Sequence, residues 1–112
     1  MPSTTPQTIE GGVHTSLVNI QPIGAYNEPG LRSVNSNTET SITFVNFRAE
    51  PLHLWWISFE GRRVSYGTVA GNGGRLDMRT YLTHPWVITD EGSGEALGIW
   101  FPIPDRGLVV VA

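Results

Sequence analysis

Apolar and polar positions alternate with a period of two along most of this chain, and that period predicts strands. The alternation becomes regular from Leu31 onward. Residues 40–47, TSITFVNF, place Ile42 and Phe44 on one face and Val45 and Phe47 on the other, the pattern of a strand with apolar surroundings on both sides. After a turn at residues 48–51, the segment 52–59, LHLWWISF, sets Trp55, Ile57 and Phe59 against Leu54, Trp56 and Ser58. The first set reads as core, which leaves Trp56 pointing away from it. Segments 62–69, 75–81, 85–90, 97–101 and 107–111 continue the series, separated by Glu60-Gly61, by AGNGG at 70–74 and by EGSGE. Residues 15–20 are β-branched enough for an edge strand that Pro22 ends. No helical period runs for three or four turns. About seven to eight short strands at intervals of roughly ten residues predict a β-sandwich or a small barrel, and a single antiparallel β-sandwich is expected.

The chain of 112 residues fits one such domain, large enough to bury a core. Residues 1–12 carry one acid and almost nothing to bury, so a disordered lead-in is expected there and the domain spans 13–112. Cysteine is absent, which excludes disulfides, thiolate chemistry and cysteine metal sites. All 7 basic residues are arginine, so a Schiff base or a lysine general base is excluded too. A net charge of −3 argues against a nucleic-acid partner, and the adjacent Arg62 and Arg63 do not make a basic stripe. The longest apolar run, residues 108–112, falls far short of the ~20 residues of a membrane span. The N-terminus lacks a signal-peptide pattern, and a cytoplasmic location is the default expectation.

Several motifs reduce to ordinary structure. AGNGGR at 70–75 has the glycines of a phosphate loop, but RLDMRTY after it reads as a strand rather than the helix that would hold the anion; a hairpin loop is expected. His14, His53 and His84 lack metal-ligand spacing, so neither a metal nor a cofactor is expected. His53 shares a strand face with Trp55 and reads as a satisfied or a rim histidine. Ser58, His84 and Asp77 form a triad only on paper, since no serine sits in a nucleophile-elbow context. Asp77 and Arg79, two apart on one face, predict a surface ion pair of little energetic weight.

The aromatic residues carry more. Residues 55–88 hold three of the 4 tryptophans and two of the 3 tyrosines. Pairing of these segments would bring Trp56, Tyr66 and Trp86 together with Thr80 and His84, each of which offers a donor and an acceptor. An apolar box with a hydroxyl and an imidazole suits a ring that carries one hydroxyl.

LRSVNS at 31–36, the extended ITFVN and the W-x-x-F-[DE]-G element from Trp56 to Gly61 resemble the β-domain family of the von Hippel–Lindau tumour suppressor. Tyr66, the glycine-rich loop, the Thr80-Tyr81-x-x-His84-x-Trp86 run, Phe101-Pro102 and the last strand continue the resemblance from Leu31 to the C-terminus. It implies a seven-stranded sandwich that recognises 4-hydroxyproline in an extended peptide. By that resemblance Trp56, Tyr66 and Trp86 wall the proline ring, while Thr80, in place of a serine, and His84 bond the hydroxyl. Tyr81 would line the same region and Asn35 would contact the peptide backbone. Departures fall at Thr80, at Pro85 after His84, at Arg79 for a histidine, at Asn37 for an arginine and at Gly67 for a proline. The chain ends at Ala112 without the family's helical domain, so no ubiquitin-ligase contact is expected.

The expected function is therefore a binding module for a hydroxyproline-like group, with no catalytic residue. Two rivals stand beside it. One is an enzyme using His84 as acid or base on a cyclic substrate. The other is an interface in which the aromatic surface meets another chain or a second copy of this one.

Overall fold

The alternating segments form eight strands. In the computed structural model, which describes residues 16–112, these are β1 (Val18–Asn19), β2 (Glu39–Asn46), β3 (Leu52–Ile57), β4 (Arg63–Val69), β5 (Gly74–Tyr81), β6 (Trp86–Asp90), β7 (Ala96–Trp100) and β8 (Gly107–Val111). The only helical element among the described residues is a 3₁₀ turn at Ala25–Asn27. The expected lead-in at 1–12 lies outside the described residues. Two four-stranded sheets result, in the orders β1-β8-β2-β5 and β4-β3-β6-β7. They make a β-sandwich, as the alternation predicts.

One strand departs from antiparallel pairing. β8 runs parallel to both β1 and β2. Residues 101–106 carry the chain from β7 in one sheet to β8 in the other, so no hairpin imposes an antiparallel direction on it. The segment expected at 15–20 contributes only its middle, as the short edge strand β1.

Between the sheets lies the main core. Ile42 and Phe44 from β2 meet Leu52 and Leu54 from β3, Trp86 and Ile88 from β6, and Val109 and Val111 from β8. Because Leu52 and Leu54 are at most 1% exposed on this face, period two sends Trp56 the same way, against the expectation from sequence. Trp56 is thus an inward residue at the end of the core. The opposite face of β3 is also apolar, because Trp55 and Ile57 join Val87, Ile99, Leu31 and Phe101 in a second cluster outside the sheet. Both faces of β3 fit a core, and alternation alone does not say which is the inter-sheet face.

A bulge in β4 directs the site. Val69 pairs Leu52 and Thr68 pairs His53, but Ser65 already pairs Trp55, so Tyr66 and Gly67 together oppose Leu54. Gly67 has φ +102°, which a side chain would strain. The extra residue changes the parity of the strand. Val69 stays buried in the core while Tyr66, three residues earlier, also faces inward toward Trp56 and Trp86.

The loop at 70–73 is not a hairpin loop in the expected sense, since β4 and β5 belong to different sheets. It steps across the sandwich and is pinned there by Asn72 N donating to Arg48 O at 2.7 Å and Gly73 N to Asn46 O at 2.7 Å. The expected Asp77–Arg79 pair is also replaced. Cross-strand neighbours take both: Asp77 accepts from the Thr43 hydroxyl at 2.7 Å and lies 3.6 Å from Arg75, while Arg79 bonds Glu39 at 2.6 Å. His53 is satisfied as expected, between Glu91 Oε1 at 2.8 Å and Ser65 Oγ at 2.6 Å.

Candidate ligand-binding pocket

Five strand segments and turns converge at the margin of the core. β3 delivers Trp56, the bulge in β4 delivers Tyr66, and the end of β5 delivers Thr80 and Tyr81. The tight turn before β6, closed by His84 N donating to Tyr81 O at 3.0 Å, delivers His84, and β6 opens with Trp86. These six line one open cavity of about 170 Å³. An apolar cavity of ~150 Å³ holds a benzene ring, so the space suits one small ring.

The rings are arranged edge to face. Tyr66 meets Trp86 at 5.3 Å and 78°, and Trp56 at 6.2 Å and 85°; His84 lies tilted over Trp56 at 5.2 Å and beside Tyr81 at 5.2 Å. Trp86 anchors the wall from inside, since its ring is 2% exposed and packs on Phe44 at 5.8 Å. Tyr66, at 46% exposed, forms the open rim.

The two polar groups already have protein partners, and those partners fix what they still offer. Thr80, 3% exposed, accepts a hydrogen bond from the Trp86 indole at 3.0 Å, which leaves its own O–H to donate. His84 Nε2 lies 3.0 Å from the Asn35 carbonyl and 3.3 Å from Ser36 Oγ. A carbonyl only accepts, so the network assigns the proton to Nε2 and leaves Nδ1 as an acceptor. Burial holds the imidazole below its ordinary pKa, against the opposing pull of the Asn35 carbonyl, so the ring is neutral at pH 7.

Asn35 is the one expected site residue outside the wall. Its carbonyl serves His84, and its side-chain oxygen accepts from Asn37 N at 3.1 Å. Conversely, Phe59, Ser36 and Arg79 line the cavity although the alternation did not select them. Alternation groups Phe59 with the core. The strand stops at Ile57, and the turn closed by Ser58 N to Arg62 O at 2.8 Å breaks the period, leaving Phe59 40% exposed against Trp56 and His84.

Two hydroxyls behind the wall also escaped sequence reading. Ser33, fully buried, accepts from the Trp56 indole at 2.8 Å and donates to Ile57 O at 2.6 Å. Thr83 binds the Val34–Asn35 backbone. The paper triad does not form: Ser58 Oγ accepts from Glu60 N and Arg62 N in its own turn, and Asp77 bonds Thr43. No cluster of three potential metal ligands occurs among the described residues.

Residues 31–100 match the model of the VHL beta domain family, more than half of the chain. The chain belongs to the VHL β-domain family. Membership supports a substrate-binding domain with protein partners, in a family of binding modules rather than enzymes. The VHL match begins at Leu31, ahead of the loop that reaches His84, and takes in β2 through β7, so every residue of the pocket lies within it. No helix among the described residues is long and apolar enough to cross a membrane.

Proposed function

We propose that this domain binds a hydroxylated five-membered ring, 4-hydroxyproline within an extended peptide of a partner protein. One observation carries the reading: an aromatic cavity of one-ring size holds a free O–H donor on Thr80 and an acceptor at Nδ1 of a neutral His84. A ligand hydroxyl both accepts and donates, so it completes that pair. Trp56, Tyr66 and Trp86 supply the apolar walls, with Tyr81 beside His84. The edge strands β4 and β5 both contribute to the cavity, and an edge offers unpaired backbone to an extended chain.

Unmodified proline leaves the Thr80 donor and the His84 acceptor unpaired. Each such group costs roughly 1–3 kcal/mol where water is shut out, and every 1.4 kcal/mol is about tenfold in affinity. A preference for the hydroxylated peptide of at least about fivefold is expected even from one group. Calorimetric titration of the protein with paired peptides containing trans-4-hydroxyproline or proline measures it. His84→Ala should lower the preference by about the share of one group, and adding Thr80→Val should abolish it. Equal affinity of the two peptides would refute the reading, and sedimentation showing Trp56 and Tyr66 covered in a stable dimer would favour the interface instead.

A further inference from the structure

Thr83 stands outside the pocket wall, yet its hydroxyl is saturated with bonds to one loop. It accepts from Val34 N at 3.1 Å and Asn35 N at 3.0 Å, and it donates to Asn35 O at 2.9 Å. One donor and two lone pairs are a hydroxyl's whole capacity. Among the described residues, the loop has independent anchors only at its ends, where Ser33 N donates to Ser58 O at 3.1 Å and Thr38 O accepts from Leu82 N at 3.0 Å. Between them, residues 34–37 bond to the rest of the chain through the Thr83 hydroxyl and the His84 ring. The Asn35 side chain turns back on Asn37 N and adds no outside tether.

The Asn35 carbonyl therefore has two donors, the Thr83 hydroxyl and His84 Nε2. One is a short β-branched side chain with few rotamers, fixed on the same turn as His84. The other is the group that the proposed ligand must find in one tautomer. We infer that Thr83 is a positioning residue: by holding the Asn35 carbonyl in place it keeps the proton of His84 on Nε2 and so reserves Nδ1 for the ligand hydroxyl. The ligand half of this inference rests on the proposed function; the tautomer half does not.

Two readouts separate them. The first is the tautomer of His84 in the free protein, from its ring ¹⁵N shifts at pH 7.5, with the signal assigned through a His84→Gln variant. Wild type should show Nε2–H alone. Thr83→Val should show both tautomers, and Thr83→Ser, which restores the hydroxyl, should return to Nε2–H. The second is the ratio of affinities for the hydroxyproline and proline peptides. Thr83→Val should lower that ratio about tenfold while affinity for the proline peptide stays within twofold, a split that general loosening of the fold would not give. Thr83→Ala repeats both measurements if Thr83→Val does not fold. A single Nε2–H tautomer in the folded Thr83→Val or Thr83→Ala protein overturns the inference. If no peptide binds wild type, the proposed function falls and the tautomer measurement still decides the role of Thr83.

Discussion

Replacing Thr80 with valine tests the pocket wall from its buried side. The substitution keeps the branched shape and exchanges the hydroxyl for a methyl, so the change is one of hydrogen bonding rather than of shape. What changes is the Trp86 indole, 2% exposed, whose N–H donates to that oxygen at 3.0 Å. Its loss leaves a buried donor without a partner, at a cost of roughly 1–3 kcal/mol. With an unfolding entropy of ~2.1 cal/mol/K per residue, a domain of this size loses about 4–5 °C of Tm per kcal/mol. Thr80→Val should therefore lower Tm by roughly 4–15 °C in calorimetry, while Thr80→Ser stays close to wild type. A double-mutant cycle with Trp86→Phe isolates the bond, because the second change removes the orphaned donor as well. The double variant should be less destabilised than the sum of the singles by about 1 kcal/mol or more. Additive costs, or a Thr80→Val protein as stable as wild type, would refute the reasoning. The Thr80 oxygen would then be turned toward the cavity, with the indole satisfied by solvent.

Gly67→Ala should cost about 1–2 kcal/mol in urea unfolding, because φ +102° is a backbone conformation that a Cβ strains; Gly92→Ala, where a Cβ would meet Asp90 Oδ1 at an ordinary 3.5 Å, should be near neutral, and equal costs would discount the bulge. Acid should weaken the fold in two stages. The folded His84 pKa is depressed, so its contribution is whole above the ordinary imidazole value of about 6.5 and declines as pH falls below it. Glu28, Asp77 and Asp90 are held below the carboxylate range by hydrogen bonds from Arg63, Thr43 and the Ser93 backbone respectively, so their contributions are lost only as pH falls through about 4 and below. Tm followed from pH 8 to 3 should show both stages, and His84→Gln should remove the first; a profile unchanged in His84→Gln would place the upper transition elsewhere.

The strands were legible because each is a run of period-two alternation bounded by glycine, proline or acidic turns, and the segment at 107–111 falls on β8 residue for residue. Which face of β3 lies between the sheets was not legible. Leu52, Leu54 and Trp56 form one apolar row and Trp55 with Ile57 another, and only the second cluster outside the sheet explains why both are needed. The bulge hides from alternation for a related reason. Tyr66 and Val69 differ in parity, so a strict period would place one of them in solvent, and it takes the partner strand to show that Gly67 absorbs the difference.

The pocket divides along the same line between local and distant information. Trp56, Tyr66, Thr80, Tyr81, His84 and Trp86 are visible as a set because they crowd into neighbouring segments, and pairing those segments brings them together whatever the details. The groups that decide their chemistry lie elsewhere in the chain. Ser33 is 23 residues from the Trp56 indole it holds, and Thr83 is 48 from the Asn35 carbonyl it fixes. Neither hydroxyl sits in a motif, and serine and threonine on a turn are common enough to carry no signal. Yet these bonds make the pocket more than an aromatic surface. The Asn35 carbonyl holds the His84 proton on Nε2, and the Trp86 indole takes one lone pair of the Thr80 hydroxyl and so directs its proton. The wall comes from local sequence, whereas the direction of each proton in it comes from backbone carbonyls and ring N–H groups that only the folded sandwich brings near.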